Sequence, residues 1–217
     1  KRNIKKYRLL QVILLGDFGV GKSTFVKRAL MKKDEKLEAK DDLGRRGYVH
    51  DVKTVMIQDD RGLINVSLNI YDTNGDEEFA TLQKDYYRKA HGGIVMYDLT
   101  KKSSFDNAEL WVNENLRFSQ SDSSCVMFIL GTKKDMVEED SKRRVVSRKD
   151  MKEISLKNQH MIQLGEISSM NKKHVESVLE EVAHSLTSTF PHRIKTNSVY
   201  EAETASKEKA SCGCVII

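Results

Sequence analysis

The sequence lacks most of what anchors or cross-links a secreted or membrane-spanning protein. Its 217 residues include three cysteines and one proline, and the cysteines do not form the even, spaced set of a disulfide framework. No apolar run is long enough to span a bilayer, and the charged amino terminus lacks the apolar segment of a secretory signal. These absences favour a cytosolic protein that a membrane would hold only through groups attached after synthesis.

The sequence also lacks a strong excess of one charge. Its 37 basic and 32 acidic residues give a formal net charge of +5, which argues against a nucleic-acid-binding protein, because such proteins concentrate basic residues. One local basic cluster lies in residues 1–8, and a solvated leader explains it better than a lipid or RNA patch does. Nucleic acid is therefore not expected among the partners.

Apolar and amphipathic segments alternate over residues 9–190 and predict one α/β domain. Such an alternation implies a mostly parallel sheet covered by helices on both faces. The predicted strands span residues 9–15, 53–58, 63–71, 94–97, 126–130 and 161–164. The predicted helices span residues 23–31, 76–89, 103–118 and 148–158, with a last helix whose apolar face carries Val175, Val178, Leu179, Val182 and Leu186.

Two segments lack a periodic apolar pattern. Residues 32–48 are charged and predict the end of a helix and a long loop. Residues 191–217 begin at Pro191, which would stop the last helix, and their polar composition predicts a flexible tail. The sequence therefore divides into a leader, one domain and a tail.

A phosphate-binding loop is predicted where the first strand meets the first helix. Residues 16–24, Gly-Asp-Phe-Gly-Val-Gly-Lys-Ser-Thr, fit a pattern in which backbone N–H groups and a helix start close around phosphate oxygens. Lys22 would contact the β- and γ-phosphates, and the Ser23 hydroxyl would bind Mg²⁺. The candidate residues of this loop are Gly16, Phe18, Gly19, Val20, Gly21, Lys22, Ser23 and Thr24.

Two later motifs follow predicted strands in the order that a nucleotide site requires. Asp72 could hold the Mg²⁺ shell from the opposite side, and Gly75 could offer its backbone N–H to the γ-phosphate. In Gly-Thr-Lys-Lys-Asp, residues 131–135, Asp135 could accept hydrogen bonds from two N–H groups of guanine, a donor pair that adenine lacks. A basic surface turn is the alternative interpretation of that motif.

These motifs resemble those of the Ras superfamily of small GTPases, and residues 85–107 are most similar to the Rab branch. The resemblance implies a six-stranded sheet with helices on both faces, and a switch that binds GTP, GDP and Mg²⁺ in vesicle traffic. Effectors, exchange factors and GTPase-activating proteins would contact residues of about 34–90. The protein would lie on the cytoplasmic face of an intracellular membrane, with a cytosolic pool.

The same resemblance assigns residues that contact the base. Thr132, Lys133 and Asp135 match the base motif, although Rab proteins have Asn where Thr132 stands and the Rho branch has Thr. Ser168 matches the last motif of the family, and Ser169 stands where Ala is usual.

Departures from the family pattern predict slow hydrolysis of GTP. Asp76, which follows Gly75, stands where the family has the Gln that orients the attacking water, and its charge is unfavourable near the γ-phosphate. Phe18 replaces a small residue and would crowd that water and any arginine finger. Gly47 aligns with the family Thr that binds Mg²⁺, so one metal ligand would be missing.

The chain ends in Cys-Gly-Cys-Val-Ile-Ile, which fits a C-a-a-X lipid signal at Cys214 with a second cysteine at Cys212. One lipid holds a protein to a membrane only marginally, whereas two give stable attachment. The resemblance implies prenyl groups on both cysteines. The alternative is a disordered end with two incidental thiols.

Three interpretations of function are compatible with the sequence. The first is a Rab-like switch with impaired hydrolysis, which the retained phosphate, metal and base residues favour. The second is a pseudo-GTPase, a lipid-anchored scaffold with little or no turnover, which the departures favour. The third, an ATP-hydrolysing enzyme with a phosphate loop, is disfavoured by Asp135 and by the small size of the chain.

Overall fold

A computed structural model describes residues 7–32, 35, 49–59, 62–73, 87–118, 125–157 and 161–190. Strands and helices alternate along these residues. In order they are β1 (Tyr7–Leu15), α1 (Lys22–Leu30), β2 (Val49–Asp59), β3 (Gly62–Asp72), β4 (Gly92–Asp98), α2 (Lys102–Asp106), α3 (Ala108–Phe118), β5 (Val126–Thr132), α4 (Lys134–Glu139), α5 (Arg148–Lys157), β6 (Met161–Glu166) and α6 (Lys172–Thr189).

The strands form one six-stranded sheet in the order β2-β3-β1-β4-β5-β6. β2 and β3 are antiparallel neighbours, and the other neighbouring pairs are parallel. The carboxyl ends of the parallel strands therefore meet at one edge, which is where ligands bind in open α/β sheets. The predicted α/β fold with a mostly parallel sheet is confirmed.

The central strand β1 is buried on both faces, as its continuous apolar run predicts. Val12 and Leu14 belong to the apolar cluster that packs beneath α1 and α6, and Ile13 and Leu15 belong to the cluster on the opposite face, with α3 and α5. Successive side chains of a strand point to opposite faces, so one strand contributes to both clusters. The two clusters fix the sheet between two layers of helices.

Strand β3 alternates apolar residues with Asn65, Ser67 and Asn69, a pattern that predicts one buried and one polar face, but the strand is more buried than that. Its apolar residues are buried as expected, but Ser67, on the face predicted to be polar, is only 6% exposed. The Ser67 hydroxyl lies 3.3 Å from the hydroxyl of Thr54 on β2. A cross-strand hydrogen bond therefore satisfies a hydroxyl that the pattern assigned to solvent.

One helical prediction needs correction, and one short helix was missed. The prediction of a single helix over residues 103–118 is wrong, because the chain turns at Asn107 and its carbonyl oxygen accepts from the N–H groups of Leu110 and Trp111 to start α3. The short helix α4 was not predicted. The predicted helix over 76–89 and the predicted loop over 32–48 fall largely outside the described residues. No helix among the described residues is both long and apolar enough to cross a membrane.

Candidate nucleotide-binding site

The phosphate loop joins the end of β1 to the start of α1, and its glycines hold conformations that other residues rarely adopt. Gly16 and Gly19 have φ angles of 131° and 80°. A side chain at Gly16 would also clash with the carbonyl oxygen of Met96 in β4, whereas one at Gly19 would meet open space. The loop therefore lies directly against the end of the sheet at Gly16.

Lys22, the first residue of α1, is 5% exposed. Its Nζ donates to the carbonyl oxygens of Gly16 at 2.5 Å and Asp17 at 2.9 Å. Burial lowers the pKa of Lys22 to about 8, and the negative charges of Asp72 and Asp17 limit that fall. The loop thus contains a desolvated ammonium group that is charged at neutral pH, at the position predicted for phosphate binding.

Asp72 ends β3 beside this loop and is 6% exposed. Burial raises the pKa of Asp72, while a hydrogen bond with Ser23 and the charge of Lys22 oppose the rise. Its Oδ1 atom is buried and has no hydrogen-bond partner. Proteins hold Mg²⁺ through one or two side-chain oxygens plus phosphate oxygens, so this oxygen beside the Ser23 hydroxyl fits the predicted ion.

Thr132, at the end of β5, is fully buried and contacts the phosphate loop. Its Oγ1 lies 2.6 Å from the carbonyl oxygen of Val20 and 2.8 Å from that of Tyr97. The hydroxyl thereby joins the base motif to the phosphate loop and to β4. Thr132 was predicted on resemblance to match the base motif, and its side chain binds backbone within the site.

Three motifs converge around Gly21. A side chain at Gly21 would lie 3.2 Å from Ser169 Oγ and 4.0 Å from Lys133 Cε. Ser169 is 4% exposed, and its hydroxyl has no hydrogen-bond partner. The phosphate loop, the Gly-Thr-Lys-Lys-Asp motif and the last motif, which are distant in sequence, therefore meet at one point.

The base side of the site is more open. Lys133 adopts a left-handed conformation with φ of 60°, and α4 begins at the next residue, so Asp135 lies in the first turn of that helix and is exposed. Ser168 is buried, and its backbone N–H donates to Nδ1 of His174 at 3.3 Å. Sequence reasoning missed His174, because nothing in the motif indicates that a helix residue six positions later holds the loop.

Other predicted residues of the phosphate loop divide between core and solvent. Val20 is 1% exposed and belongs to the core beneath α1, and Thr24 is half-buried in α1. Phe18 is 82% exposed, so its ring lies at the open rim of the loop. That the ring crowds an attacking water stays a prediction. Gly47, Gly75, Asp76, Cys212 and Cys214 lie outside the described residues.

Asp17 is a residue of the loop that the sequence did not single out. Its Oδ2 accepts from Nδ2 of Asn107 and its Oδ1 accepts from Nε1 of Trp111, each at 2.9 Å. Both carboxylate oxygens thus bind donors that lie about 90 positions later in the chain. A contact of that span leaves no local signal in the sequence.

The fold and the site define a class of protein. A phosphate loop at the end of β1, a buried acidic residue at the end of β3 and the Gly-Thr-Lys-Lys-Asp motif at the end of β5 lie at one edge of a mostly parallel sheet. This arrangement is that of a phosphate-loop α/β protein of the small G-protein type.

Comparison with known proteins agrees with this class. The family model described as "Ras family" matches residues 11–188. The chain is 33% identical over 198 residues to the GTP-binding protein ypt3 of Schizosaccharomyces pombe, covering 89% of this chain and 81% of that protein. It is 30% identical over 208 residues to the Ras-related protein Rab-10 of Caenorhabditis elegans, covering 95% and 96%. It is also 30% identical over 204 residues to the human Ras-related protein Rab-37, covering 93% and 85%. The chain therefore belongs to the Ras family of small GTPases, in its Rab branch.

Proposed function

We propose that this protein is a guanine-nucleotide-binding switch that acts in membrane traffic and hydrolyses GTP slowly. One observation carries the proposal: the buried charges of Lys22 and Asp72 face a loop that also meets Ser169 and Lys133 of the base motifs. Two opposite charges kept out of water, one with an unpartnered oxygen, are costly unless a ligand uses them. The relatives named above, one of them called a GTP-binding protein, support the same ligand.

The phosphate side supplies charge and metal ligands. The backbone N–H groups at Gly19 and Gly21 and the start of α1 suit phosphate oxygens, and the Lys22 ammonium adds a full positive charge. Ser23 and Asp72 would hold Mg²⁺, which when bound bridges phosphate oxygens and neutralises their charge. Burial of this side excludes water, so each of these interactions is stronger than it would be in solvent.

The base side supplies specificity. Asp135 would accept the two N–H groups of guanine, and the aliphatic stem of Lys133 would lie along the base. Ser168 and Ser169 would face the base edge, because they follow β6 at the same edge of the sheet. A site built to accept two N–H groups from a base rejects a base that lacks them, because the carboxylate of the site would then stay unpaired.

Slow hydrolysis follows from the residues that differ from the family. Asp76 replaces the water-orienting Gln, Phe18 occupies the rim of the phosphate loop, and Gly47 aligns with a metal-binding Thr. Unaided Ras-type hydrolysis is already about 10⁻⁴ per second, and an arginine finger adds on the order of 10³ to 10⁵. Without the Gln the protein would stay in its GTP form unless a GTPase-activating partner supplied the missing groups.

The proposed location is the cytoplasmic face of an intracellular membrane, through prenyl groups on Cys212 and Cys214. Effectors, exchange factors and GTPase-activating proteins would bind residues of about 34–90. A chain with Cys212→Ser should lose stable membrane attachment, because one lipid binds only marginally. If the variant fractionates with membranes as completely as the parent chain does, two-lipid anchoring is contradicted.

The second candidate is a pseudo-GTPase, a lipid-anchored scaffold with little or no nucleotide turnover, and the three departures favour it. The nucleotide that co-purifies with the protein separates the candidates. GTP bound at about one per chain would support a switch held on, and GDP would support surviving turnover. No bound nucleotide and no binding on titration would overturn the proposal in favour of the scaffold.

Single-turnover hydrolysis then tests the role of Asp76. Asp76→Gln should raise the rate, because Gln can orient the attacking water without adding charge. Asp76→Asn is the matched control, since it removes the charge without reaching as far as Gln. Ordinary Rab rates in the unaltered chain would contradict the prediction of slow hydrolysis.

A further inference from the structure

We propose that Asp17 is a positioning residue that ties the phosphate loop to α3 and thereby slows release of bound nucleotide. Asn107 and Trp111 each donate a hydrogen bond to the carboxylate of Asp17, and we call these three residues the brace. The inference rests on the proposed nucleotide binding, and it adds a determinant of how long the nucleotide stays. None of the three residues belongs to the predicted phosphate, metal or base set.

In the brace, each carboxylate oxygen of Asp17 has its own hydrogen-bond donor. Asn107 Nδ2 and Trp111 Nε1 each donate to a different oxygen of Asp17 at 2.9 Å. Hydrogen bonds to a charged acceptor are about twice as strong as neutral ones, and two of them fix the orientation of the carboxylate as well as its position. Both donors are neutral groups, an amide N–H and an indole N–H.

The charge of Asp17 also acts on Lys22. The carbonyl oxygen of Asp17 accepts from Lys22 Nζ at 2.9 Å, and the negative charge of Asp17 helps the buried ammonium stay protonated. The brace engages both carboxylate oxygens while the same residue supports the ammonium that phosphate requires.

The brace anchors the loop to a second part of the core. Val20 fixes the far side of the loop in the cluster beneath α1 and α6, whereas Trp111 packs against the cluster on the opposite face of the sheet. Asp17 therefore links the loop to α3. Asn107 lies at the junction of α2 and α3, so a shift of that junction would move the loop.

Loss of the brace should raise the rate of nucleotide release. A loop held on one side only would open more often, and opening precedes release. We expect Asp17→Ala to release fluorescently labelled GDP about tenfold faster, because it removes both acceptor oxygens and leaves the Asn107 and Trp111 donors of the brace without a partner. Trp111→Phe, which removes the indole donor and keeps an aromatic ring, should have a smaller effect in the same direction.

A double exchange separates geometry from charge. In Asp17→Asn combined with Asn107→Asp, the amide of residue 17 can donate to the new carboxylate at 107 and its oxygen can still accept from Trp111 Nε1. We expect this pair to restore release to within about threefold of the parent rate. The matched control is Asp106→Asn, an exposed carboxylate one residue before Asn107 that pairs with Lys102, and it should leave release unchanged.

The indole N–H gives a readout that does not depend on nucleotide. Trp111 is the one tryptophan of the chain, so ¹⁵N-tryptophan labelling yields a single indole resonance to follow. In the parent chain this proton should exchange slowly with solvent, and in Asp17→Ala, which removes its acceptor, it should shift and exchange faster. Asp106→Asn should leave it where it is. A merely structural effect on folding would not follow this pattern, nor be rescued by the double exchange.

The outcomes distinguish this proposal from the proposed function. If the parent chain binds GDP and Asp17→Ala releases it at the parent rate, the brace proposal is overturned and the switch remains. If the parent chain binds no nucleotide, the switch fails, and the indole exchange alone decides whether the brace exists. Equal indole exchange in the parent and Asp17→Ala would overturn the brace in either case.

Discussion

The phosphate side and the base side of the site differ in how they keep their charges. Lys22 and Asp72 are buried, and burial favours the neutral form of each side chain, because it lowers the pKa of Lys22 and raises the pKa of Asp72. Asp135 on the base side is exposed in the first turn of α4. The phosphate side therefore depends on the fold for its charge state, whereas the base side depends on the identity of one carboxylate.

The largest expected effect is on the phosphate side. Lys22→Met removes the ammonium and leaves the buried Asp72 without its positive neighbour, so affinity for GDP should fall by at least about 100-fold. Lys101→Met, at an exposed lysine, is the matched control and should bind as the parent does. Titration of fluorescent GDP into the three chains measures the comparison. Near-equal affinities would mean that the buried charge does not serve phosphate.

A smaller effect is expected on the base side. Asp135→Asn should weaken GDP binding by roughly tenfold to 100-fold, the range for losing a bidentate pair to a base. Inosine diphosphate, which lacks the exocyclic amino group but keeps the ring N–H, should lose less affinity than GDP does on this change. Because Asp135 is exposed, the melting temperature should stay the same. Equal loss for both nucleotides would show that Asp135 does not recognise that amino group.

The two sides should also differ in their response to pH. The pKa of Lys22 is about 8 in the folded chain and higher when the chain unfolds, so the unfolded state binds more protons between those values. Relative to Lys22→Met, the nucleotide-free chain should gain stability as pH rises above about 8. Affinity for GDP should instead fall, by up to about tenfold for each pH unit, because phosphate needs the ammonium form. Chemical denaturation and GDP titration from neutral to alkaline pH measure the two slopes, and slopes of the same sign would contradict this account.

The smallest effect is expected where the two sides meet. Ser169→Ala removes a buried hydroxyl without a partner and returns the residue usual in the family. The free energy of unfolding should rise by about 1 kcal/mol, since an unsatisfied buried polar group is destabilising. GDP affinity should change by less than about threefold. A marked loss of affinity would indicate instead that the Ser169 hydroxyl contacts the nucleotide.

The sequence predicts local features of this molecule better than it predicts long-range ones. The phosphate loop, the end of β3 and the strands are predictable because glycine spacing and apolar runs act within a few residues. The break at Asn107 and the brace at Asp17 are not, because Asn107 sits in a segment with helical periodicity and its partner lies 90 positions away. The short helix α4 escapes detection because it follows the left-handed Lys133 and has too few turns to show a period.

The central position of β1 has a consequence for biosynthesis. The strand lies between β3 and β4, with Tyr7 opposite Asn65 and Val12 opposite Gly92. A ribosome therefore releases an apolar segment long before either neighbour has been translated, and domains that wait for distant pairing expose such segments to aggregation. Chaperone capture of nascent chains should accordingly be strongest before Asp98 leaves the exit tunnel.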